Sequence, residues 1–387
     1  MENQPQTTTA KKESPVIRYL RRPPENRLPG WALGFYIGGV LAVLFFILFS
    51  VFPAFSDAYN RTVGQFFRMI LNFLTAWIPF SVAEAAVLSL PVFFVWFCVH
   101  TMHRQLNTWR QSWLYTARIL SFIALLFTLM TFVFTPGYKG RPLSDKLEFR
   151  TGEITKEKLE ATADILRNEI DNLVGTGQIL FDEKDFSRHT KTWDELNVRL
   201  LTAYKRAAAK YGPISTFPST VKPLFSSPAL MYTHIAGIYT FFTSEVCINA
   251  NYPDYVRPFA TAHEMAHQRG FAKEDEANFI AFLVCAESED PYIRYSGLMN
   301  SYQYILSALY SADPDSFRTQ WGELNTYTKK ELIAYDKFFQ PYEHSVAADI
   351  ADSVSHVVQS TEGVIPNSYG LVVDLLVAYY DQPGSAS

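Results

Sequence analysis

The sequence predicts a mainly α-helical chain in which membrane-spanning helices precede a mostly helical α+β domain. Two observations support this fold class. The composition is 48% hydrophobic and 16% aromatic, which is high for a soluble protein, and this excess is concentrated before residue 136. Beyond residue 136, apolar residues recur at helical spacing, and one short region has the composition of β-strands.

Residues 1–30 form a polar stretch without the short apolar core and small-residue cleavage site of a secretory signal. Its basic residues are Lys11, Lys12, Arg18, Arg21, Arg22 and Arg27. We interpret this stretch as a flexible cytosolic tail.

Three apolar segments, at residues 31–55, 85–102 and 114–135, are predicted to cross a membrane. The first has 25 residues without a charge, enough to span ~30 Å of hydrocarbon at about 1.5 Å per residue. The second is short and contains Pro91, which a membrane helix tolerates. Together these segments predict a membrane domain over residues 31–136.

Residues 60–79, between the first two spans, show an amphipathic pattern. Apolar residues recur at helical spacing around Arg61, Arg68 and Asn72. A helix of this kind lies in the plane of the membrane interface. We therefore predict an interfacial helix over residues 60–79.

Basic residues predict the orientation. Six precede the first span and three, at Arg104, Arg110 and Arg118, lie between the second and third, against Arg61 and Arg68 in the first loop. The positive-inside rule then places the amino terminus in the cytosol and the chain after three spans on the extracytoplasmic side. The orientation reverses if the second segment is re-entrant.

Residues 137–387 are predicted to form one extracytoplasmic domain, because a Thr-Pro-Gly sequence at 135–137 breaks the last span. Two segments at 231–239 and 243–249 predict a small β-hairpin. The net charge of −4 gives no general case for nucleic-acid binding. Apolar spacing predicts helices at 154–174, 193–211, 279–286, 293–310, 315–339, 344–360 and 372–380.

The stretch His263-Glu264-Met265-Ala266-His267 is an H-E-x-x-H motif. On a helix, the i, i+4 spacing places both imidazoles on one face, where they can bind one Zn²⁺ at roughly 2.0–2.1 Å. Glu264 then lies beside the metal, and its carboxylate can accept a proton from a water that the cation activates. The motif therefore predicts hydrolytic chemistry.

A catalytic zinc needs a third protein ligand and an open position. Gly270 is placed where a left-handed turn would end the first helix, and a second helix follows from Lys273. Glu274 and Asn278 share a face of that second helix, so Glu274 can complete the ligand set while Asn278 orients a ligand imidazole. Glu274 is preferred over Glu276, but the sequence leaves both open.

The H-E-x-x-H motif followed by Glu274-x-x-Ala277-Asn278 resembles the gluzincin metallopeptidases. Residues 242–249, the motif region and residues 367–370 also resemble a bacterial family of membrane-anchored domains of unknown function, over most of the chain. The resemblance implies a zincin-like, zinc-dependent peptidase domain over residues 137–387 with Glu274 as third ligand, and it supplies no substrate.

The gluzincin resemblance implies two further roles. Gluzincins pair an extended substrate with a strand beside the active helix, which here implies that residues 245–249 form a sheet edge; a buried structural hairpin is the alternative that the sequence leaves open. Metallopeptidases often use a tyrosine hydroxyl to stabilise the developing oxyanion, and Tyr369 is the candidate.

The cysteines are Cys98, Cys247 and Cys285. A disulfide between Cys247 and Cys285 would join the predicted strand to the ligand helix, but sequence spacing does not establish one. Buried free thiols are the favoured interpretation.

We therefore expect a multi-pass protein of the bacterial cell membrane that acts as a zinc metalloendopeptidase with one Zn²⁺. Its expected partners are the lipid bilayer and a protein or peptide substrate at the membrane or cell wall, and not nucleic acid. Two alternatives remain open, a metal-stabilised sensor or scaffold without essential hydrolysis, and an amidase that hydrolyses cell-wall peptides.

Overall fold

The computed structural model describes residues 26–104, 108–149, 152–342 and 369–382, with the single residues 14, 19, 23, 106 and 353. Most of the predicted tail over 1–30 and the predicted helix over 344–360 lie outside the described residues.

The first part of the chain is helical. Its helices are α1 (Gly30–Val51), α2 (Pro53–Tyr59), a π-helical turn (Asn60–Gly64), α3 (Gln65–Ala76), α4 (Val82–His103) and α5 (Trp109–Val133). Three of them, α1, α4 and α5, are long and apolar enough to cross a membrane by length and composition, and each overlaps one predicted span. The prediction of three long apolar helices is thus confirmed.

The predicted helix over 60–79 corresponds to the π-helical turn followed by α3. The polar side of α3 is buried at Arg68, Asn72 and Thr75. Its apolar residues are exposed instead, which is the reverse of a helix on a soluble domain. The amphipathic character is confirmed, and its position in a membrane interface stays a prediction.

The chain divides into two compact units. The first contains residues up to Leu44 and from Pro91 to Leu129, and the second contains Phe45–Leu90 and the chain from Met130 onward. Within the first unit, α1 and α5 approach closely, because a Cβ atom at Gly39 would lie 3.3 Å from the Cβ of Ala124.

The second unit continues after α5 as a mostly helical body with a small sheet. Its elements are α6 (Thr135–Lys139), α7 (Leu143–Leu147), α8 (Lys156–Gly175), α9 (Trp193–Lys210), β1 (Val221–Pro223), α10 (Ser227–Leu230), β2 (Gly237–Thr240), β3 (Glu245–Ile248), α11 (Val256–Gln268), α12 (Glu274–Ala286), α13 (Pro291–Ala312), α14 (Pro314–Glu323), α15 (Thr326–Phe339) and α16 (Tyr369–Tyr380).

Most predicted helices of this unit overlap observed ones, with one clear error. The single helix predicted over 315–339 is two helices, α14 and α15, because the chain is extended at Leu324 and Asn325. The Asn325 side chain accepts a hydrogen bond from the backbone N–H of Thr328 and so begins α15 as an N-cap.

The sheet has three strands in the order β1-β3-β2. β3 pairs with β1 in parallel, with Val246 opposite Val221, and with β2 in antiparallel, with Val246 opposite Tyr239. The prediction that 245–249 forms a sheet edge is therefore wrong. β1 was not predicted, because it has three residues in a stretch rich in Pro and Ser. In the described sheet, β2 is the edge strand that flanks Glu264.

Helix α11 lies at the centre of the second unit and packs against β2, β3, α12 and α13. The Tyr204 hydroxyl on α9 donates a 2.6 Å hydrogen bond to the Ala262 carbonyl. The Arg269 guanidinium, just after α11, lies 3.9 Å from the centre of the Tyr204 ring. These contacts, with an apolar core on three sides, hold α11 in a fixed position.

Candidate metal centre

Helix α11 carries His263, Glu264 and His267, so their relative positions follow from helical geometry. Pro258 in the first turn is compatible with a helix start, since the amide that proline lacks has no partner there. The two imidazole rings are perpendicular, with centroids 4.5 Å apart. They face the same side of α11, as the motif predicts.

The turn after α11 brings the third side chain to the histidines. Gly270 has a φ of +93°, the left-handed conformation that favours glycine. The N–H of Phe271 bonds to the Ala266 carbonyl at 3.1 Å, and the N–H of Gly270 bonds to the His267 carbonyl at 2.9 Å. This pair of bonds is a Schellman motif, and it redirects the chain so that α12 begins with Glu274 facing α11.

Three potential ligands converge at this point. Nε2 of His263 lies 3.2 Å from Oε2 of Glu274, and Nε2 of His267 lies 3.5 Å from Oε1 of Glu274. A tetrahedral zinc with bonds of roughly 2.0–2.1 Å separates its ligands by about 3.3–3.4 Å, so these separations suit one ion. The Glu274 side chain is 44% exposed, which leaves one side of the group open.

The hydrogen bond of His267 suits a metal ligand. Its Nδ1 lies 2.7 Å from the Phe271 carbonyl, which can only accept a hydrogen bond, so Nδ1 keeps its hydrogen and Nε2 is the nitrogen that offers a lone pair in the neutral imidazole. Within the described residues, no hydrogen bond joins the Asn278 amide to either imidazole. The supporting role expected for Asn278 is thus filled by a backbone carbonyl.

Glu276 faces away from the two histidines. Its Oε1 accepts a 3.2 Å hydrogen bond from the Leu143 backbone N–H and pairs with Lys273 at 3.3 Å. Of the two carboxylates that the sequence left open, Glu274 is the one that lies beside the imidazoles.

The charges of the three groups are strongly coupled. Surrounding protein atoms disfavour a charge on Glu274, but His267 and His263 hold its pKa well below the ordinary value. Burial lowers the pKa of His267, but the adjacent Glu274 carboxylate outweighs it and raises that pKa to about 9. Without a metal, the centre therefore carries an ionised Glu274 beside a protonated His267 at neutral pH.

Glu264 points from α11 towards the edge strand β2. It is 6% exposed, and burial raises its pKa, although the imidazoles and a hydrogen bond from the Tyr239 backbone N–H oppose the rise. A Cβ atom on Gly237 would lie 2.7 Å from Cγ of Glu264, so only glycine permits this close approach. Gly237 and Tyr239 were not predicted from the sequence to lie at the site. The signal available for Gly237 was its position inside a predicted strand, since such a glycine often marks a close approach of the backbone to another group.

Aromatic rings line the other side of His267. The Phe134 ring, one residue after α5, lies 6.0 Å from the His267 imidazole in an edge arrangement. The Tyr239 ring lies 6.5 Å from the same imidazole. Phe134 lies near the end of the third predicted span, residues 114–135, so no local motif could have placed it here.

The remaining candidates lie elsewhere or are only partly described. Tyr369 begins α16, and its side chain lies outside the described residues. The three cysteines are free, and both Cys247 and Cys285 are buried. The thiol of Cys247 faces the Ser81 hydroxyl at 3.3 Å.

Comparison with known protein families gives a match over most of the chain. The model of the family described as "Protein of unknown function (DUF3810)" matches residues 59–377, a range that includes α3, α4, α5 and the candidate metal centre. No curated protein and no solved structure matches the chain.

Proposed function

The chain belongs to the DUF3810 family, and from the geometry of its candidate metal centre we propose that it is a membrane-anchored, zinc-dependent metallopeptidase. The observation that carries the proposal is the convergence of His263, His267 and Glu274, with ligand atoms within 4.8 Å of one another, beside the buried Glu264. Two imidazoles and one carboxylate form a ligand set that suits zinc.

Zn²⁺ bound by this set would supply a Lewis acid that activates a water and polarises a peptide carbonyl. Glu264 then accepts the proton of the attacking water and passes it to the leaving amine as the C–N bond breaks. Burial raises the pKa of Glu264, which makes its carboxylate a stronger proton acceptor. The Phe271 carbonyl keeps the His267 ring in one orientation throughout.

The position of the edge strand β2 is an argument for a peptide substrate. The Tyr239 N–H points out of the sheet towards Glu264. An extended peptide that pairs with the outer edge of β2 would therefore pass beside the general base. β2 thus takes the role of substrate-pairing edge strand, which was predicted from the sequence for residues 245–249.

Three apolar helices near the amino terminus support membrane anchoring, with the lipid bilayer as a partner. The multi-pass arrangement, the cytosolic amino terminus and the extracytoplasmic metal centre are parts of the proposal that rest on the distribution of basic residues.

Glu264→Gln tests the proposed chemistry. Full-length protein in lipid nanodiscs is incubated with a proteome-derived peptide mixture, and new termini are counted by mass spectrometry. We expect the parent to cleave and the variant to lose at least about 100-fold in rate while it keeps its zinc, because glutamine cannot act as the base. Zinc binding without Glu264-dependent cleavage would contradict the peptidase and favour a metal-stabilised sensor or scaffold.

A further inference from the structure

Helix α3 exposes a continuous apolar surface, which we name the α3 apolar face. Phe73 is 76% exposed and Trp77, just after the helix, is 78% exposed. A contiguous surface of this kind marks contact with an apolar partner. The α3 apolar face consists of Phe66, Phe67, Ile70, Phe73, Leu74, Trp77 and Phe80.

The opposite, polar side of α3 is connected by hydrogen bonds to the turn between His267 and Glu274. The fully buried Arg68 donates hydrogen bonds to the Asn60 and Val133 carbonyls, each at 2.8 Å. The Asn60 amide in turn donates to the carbonyl of Gly270, the residue that turns the chain between His267 and Glu274. α3 is thus two hydrogen bonds away from the turn that positions the ligands.

A second contact joins α3 to Gln268, the last residue of α11. The side chain of Gln268 donates to Oδ1 of Asn72 at 3.1 Å and to the Ser244 carbonyl at 2.6 Å. Asn72 also donates to the Pro218 carbonyl at 2.9 Å. These buried bonds fix the orientation of α3, and therefore fix which way the α3 apolar face points.

A buried ion pair holds the junction between α3 and α4. Nζ of Lys222 lies 2.6 Å from Oε1 of Glu245 and also donates to the carbonyl of Thr75, near the end of α3. Glu245 accepts hydrogen bonds from the Val82 and Ala83 N–H groups, each at 2.9 Å, at the start of α4. Side chains from the sheet therefore hold the end of α3 and the start of the apolar helix α4 in place.

The same unit exposes further apolar residues at the ends of two apolar helices. The end of α1 exposes Ile47 and Val51, and the start of α4 exposes Val87 and Leu88. If α1, α4 and α5 each cross a bilayer, then the last residue of α1, the first of α4 and the last of α5 lie at the same membrane surface. Phe134, which contacts His267, directly follows α5 at that surface.

From this arrangement we infer that α3 lies in the bilayer surface with the α3 apolar face in lipid, so that the metal centre acts on peptide segments held at the membrane by an apolar anchor. The substrate class rests on the proposed peptidase function, whereas the lipid contact does not. Anchored substrates gain effective concentration over free peptides because they are confined to the surface where the centre lies.

Site-directed spin labelling tests the lipid contact. Full-length protein with Cys98→Ala, which keeps two buried cysteines, is labelled at Phe73→Cys and reconstituted in vesicles of phosphatidylcholine and phosphatidylglycerol. The control is Val198→Cys, because Val198 on α9 is 61% exposed. We expect the label at 73 to collide more with oxygen than with a water-soluble nickel complex, and the label at 198 to show the reverse.

Two results would overturn the lipid contact. Equal access of the nickel complex to both labels would show that the α3 apolar face is in water. Shielding of the label at 73 from both oxygen and nickel would show that protein, such as a second copy of the chain, covers it.

Cleavage of paired substrates tests the substrate class. A peptide mixture with palmitoylated amino termini is compared with the same mixture acetylated, in the same vesicles, with Glu264→Gln as background. We expect the palmitoylated mixture to be cleaved at least about tenfold faster. Equal rates would reject the anchored substrate class but leave the peptidase function standing. If neither mixture shows Glu264-dependent cleavage, both the substrate class and the peptidase function are rejected. The lipid contact is tested independently by the spin labels.

Discussion

At the residue scale, the candidate centre depends on a few atoms whose positions are set by their neighbours. His267 is oriented by the Phe271 carbonyl, and Glu264 lies against the backbone of β2. Small displacements at such positions have large effects on rate, since an error of about 1 Å can cost roughly 100-fold. The predictions at this scale therefore concern Gly237 and the protonation of His267.

Gly237→Ala is expected to lower peptide cleavage by about 10- to 100-fold with zinc retained. The added Cβ would lie 2.7 Å from Cγ and 2.8 Å from Oε1 of Glu264, so the carboxylate must move away from its position. The matched control is Gly175→Ala, because no atom lies within 4 Å of a Cβ there. Unchanged cleavage in Gly237→Ala, measured beside zinc content, would show that the position of Glu264 does not matter.

Zinc affinity is expected to weaken as the pH falls below about 9. In the metal-free protein the pKa of His267 is raised to about 9, so binding below that pH must displace the proton of His267. One displaced proton weakens binding about tenfold per pH unit, and the dependence flattens above the pKa. Competition with a chelator from pH 7 to pH 10 measures this slope, and a flat profile would contradict the coupling of His267 to Glu274.

The clustering of His263, His267 and Glu274 could be predicted from the sequence, because the H-E-x-x-H spacing and the glycine turn act over one or two helical turns. The sequence favoured Glu274 over Glu276 without excluding Glu276, because the hydrogen bond from the Leu143 N–H that holds Glu276 elsewhere comes from a distant segment. Gly237 and Phe134 could not be placed, because they reach the site through strand register and through the end of a distant helix.

At the element scale, the sheet connects the metal centre to the apolar helices. β1 and β3 supply Lys222 and Glu245, which bind the end of α3 and the start of α4. Helix periodicity predicted most helices, but it missed β1 and the break at Leu324 because short strands and loop caps leave little periodic signal. Without β1, β3 could not be recognised as the middle strand.

Lys222→Met is expected to destabilise the second unit by about 3–5 kcal/mol, because it leaves Glu245 charged and buried. The double variant Lys222→Met with Glu245→Leu should cost less than the sum of the two single variants, since the pair interacts directly. Thermal unfolding in nanodiscs measures each variant. Additive losses would show that the two charges do not stabilise each other.

At the scale of the whole molecule, the proposal places the metal centre on one side of a membrane. The proposed orientation rests on basic residues in the loops, and the proposed three crossings rest on three helices that are long and apolar enough to span a membrane. Length and composition are enough to predict such helices from the sequence. The side of the membrane on which the chain leaves α5 depends also on whether α4 crosses the membrane.

Labelling of intact cells with a membrane-impermeant maleimide tests the orientation. In the Cys98→Ala background, Val198→Cys is expected to react from outside, because the metal-centre domain is proposed to be extracytoplasmic. Trp109→Cys, at the first residue of α5 and 78% exposed, should react only after lysis. The opposite pattern would reverse the orientation.

The most direct measurement is the zinc content of the purified full-length protein, by native mass spectrometry from detergent micelles. The account predicts one Zn²⁺ per chain in the parent and in Glu276→Gln, and marked loss in Glu274→Gln, an equally conservative change at the neighbouring carboxylate. A folded parent that binds no zinc, or a Glu274→Gln variant that keeps it, would contradict the His263, His267 and Glu274 centre.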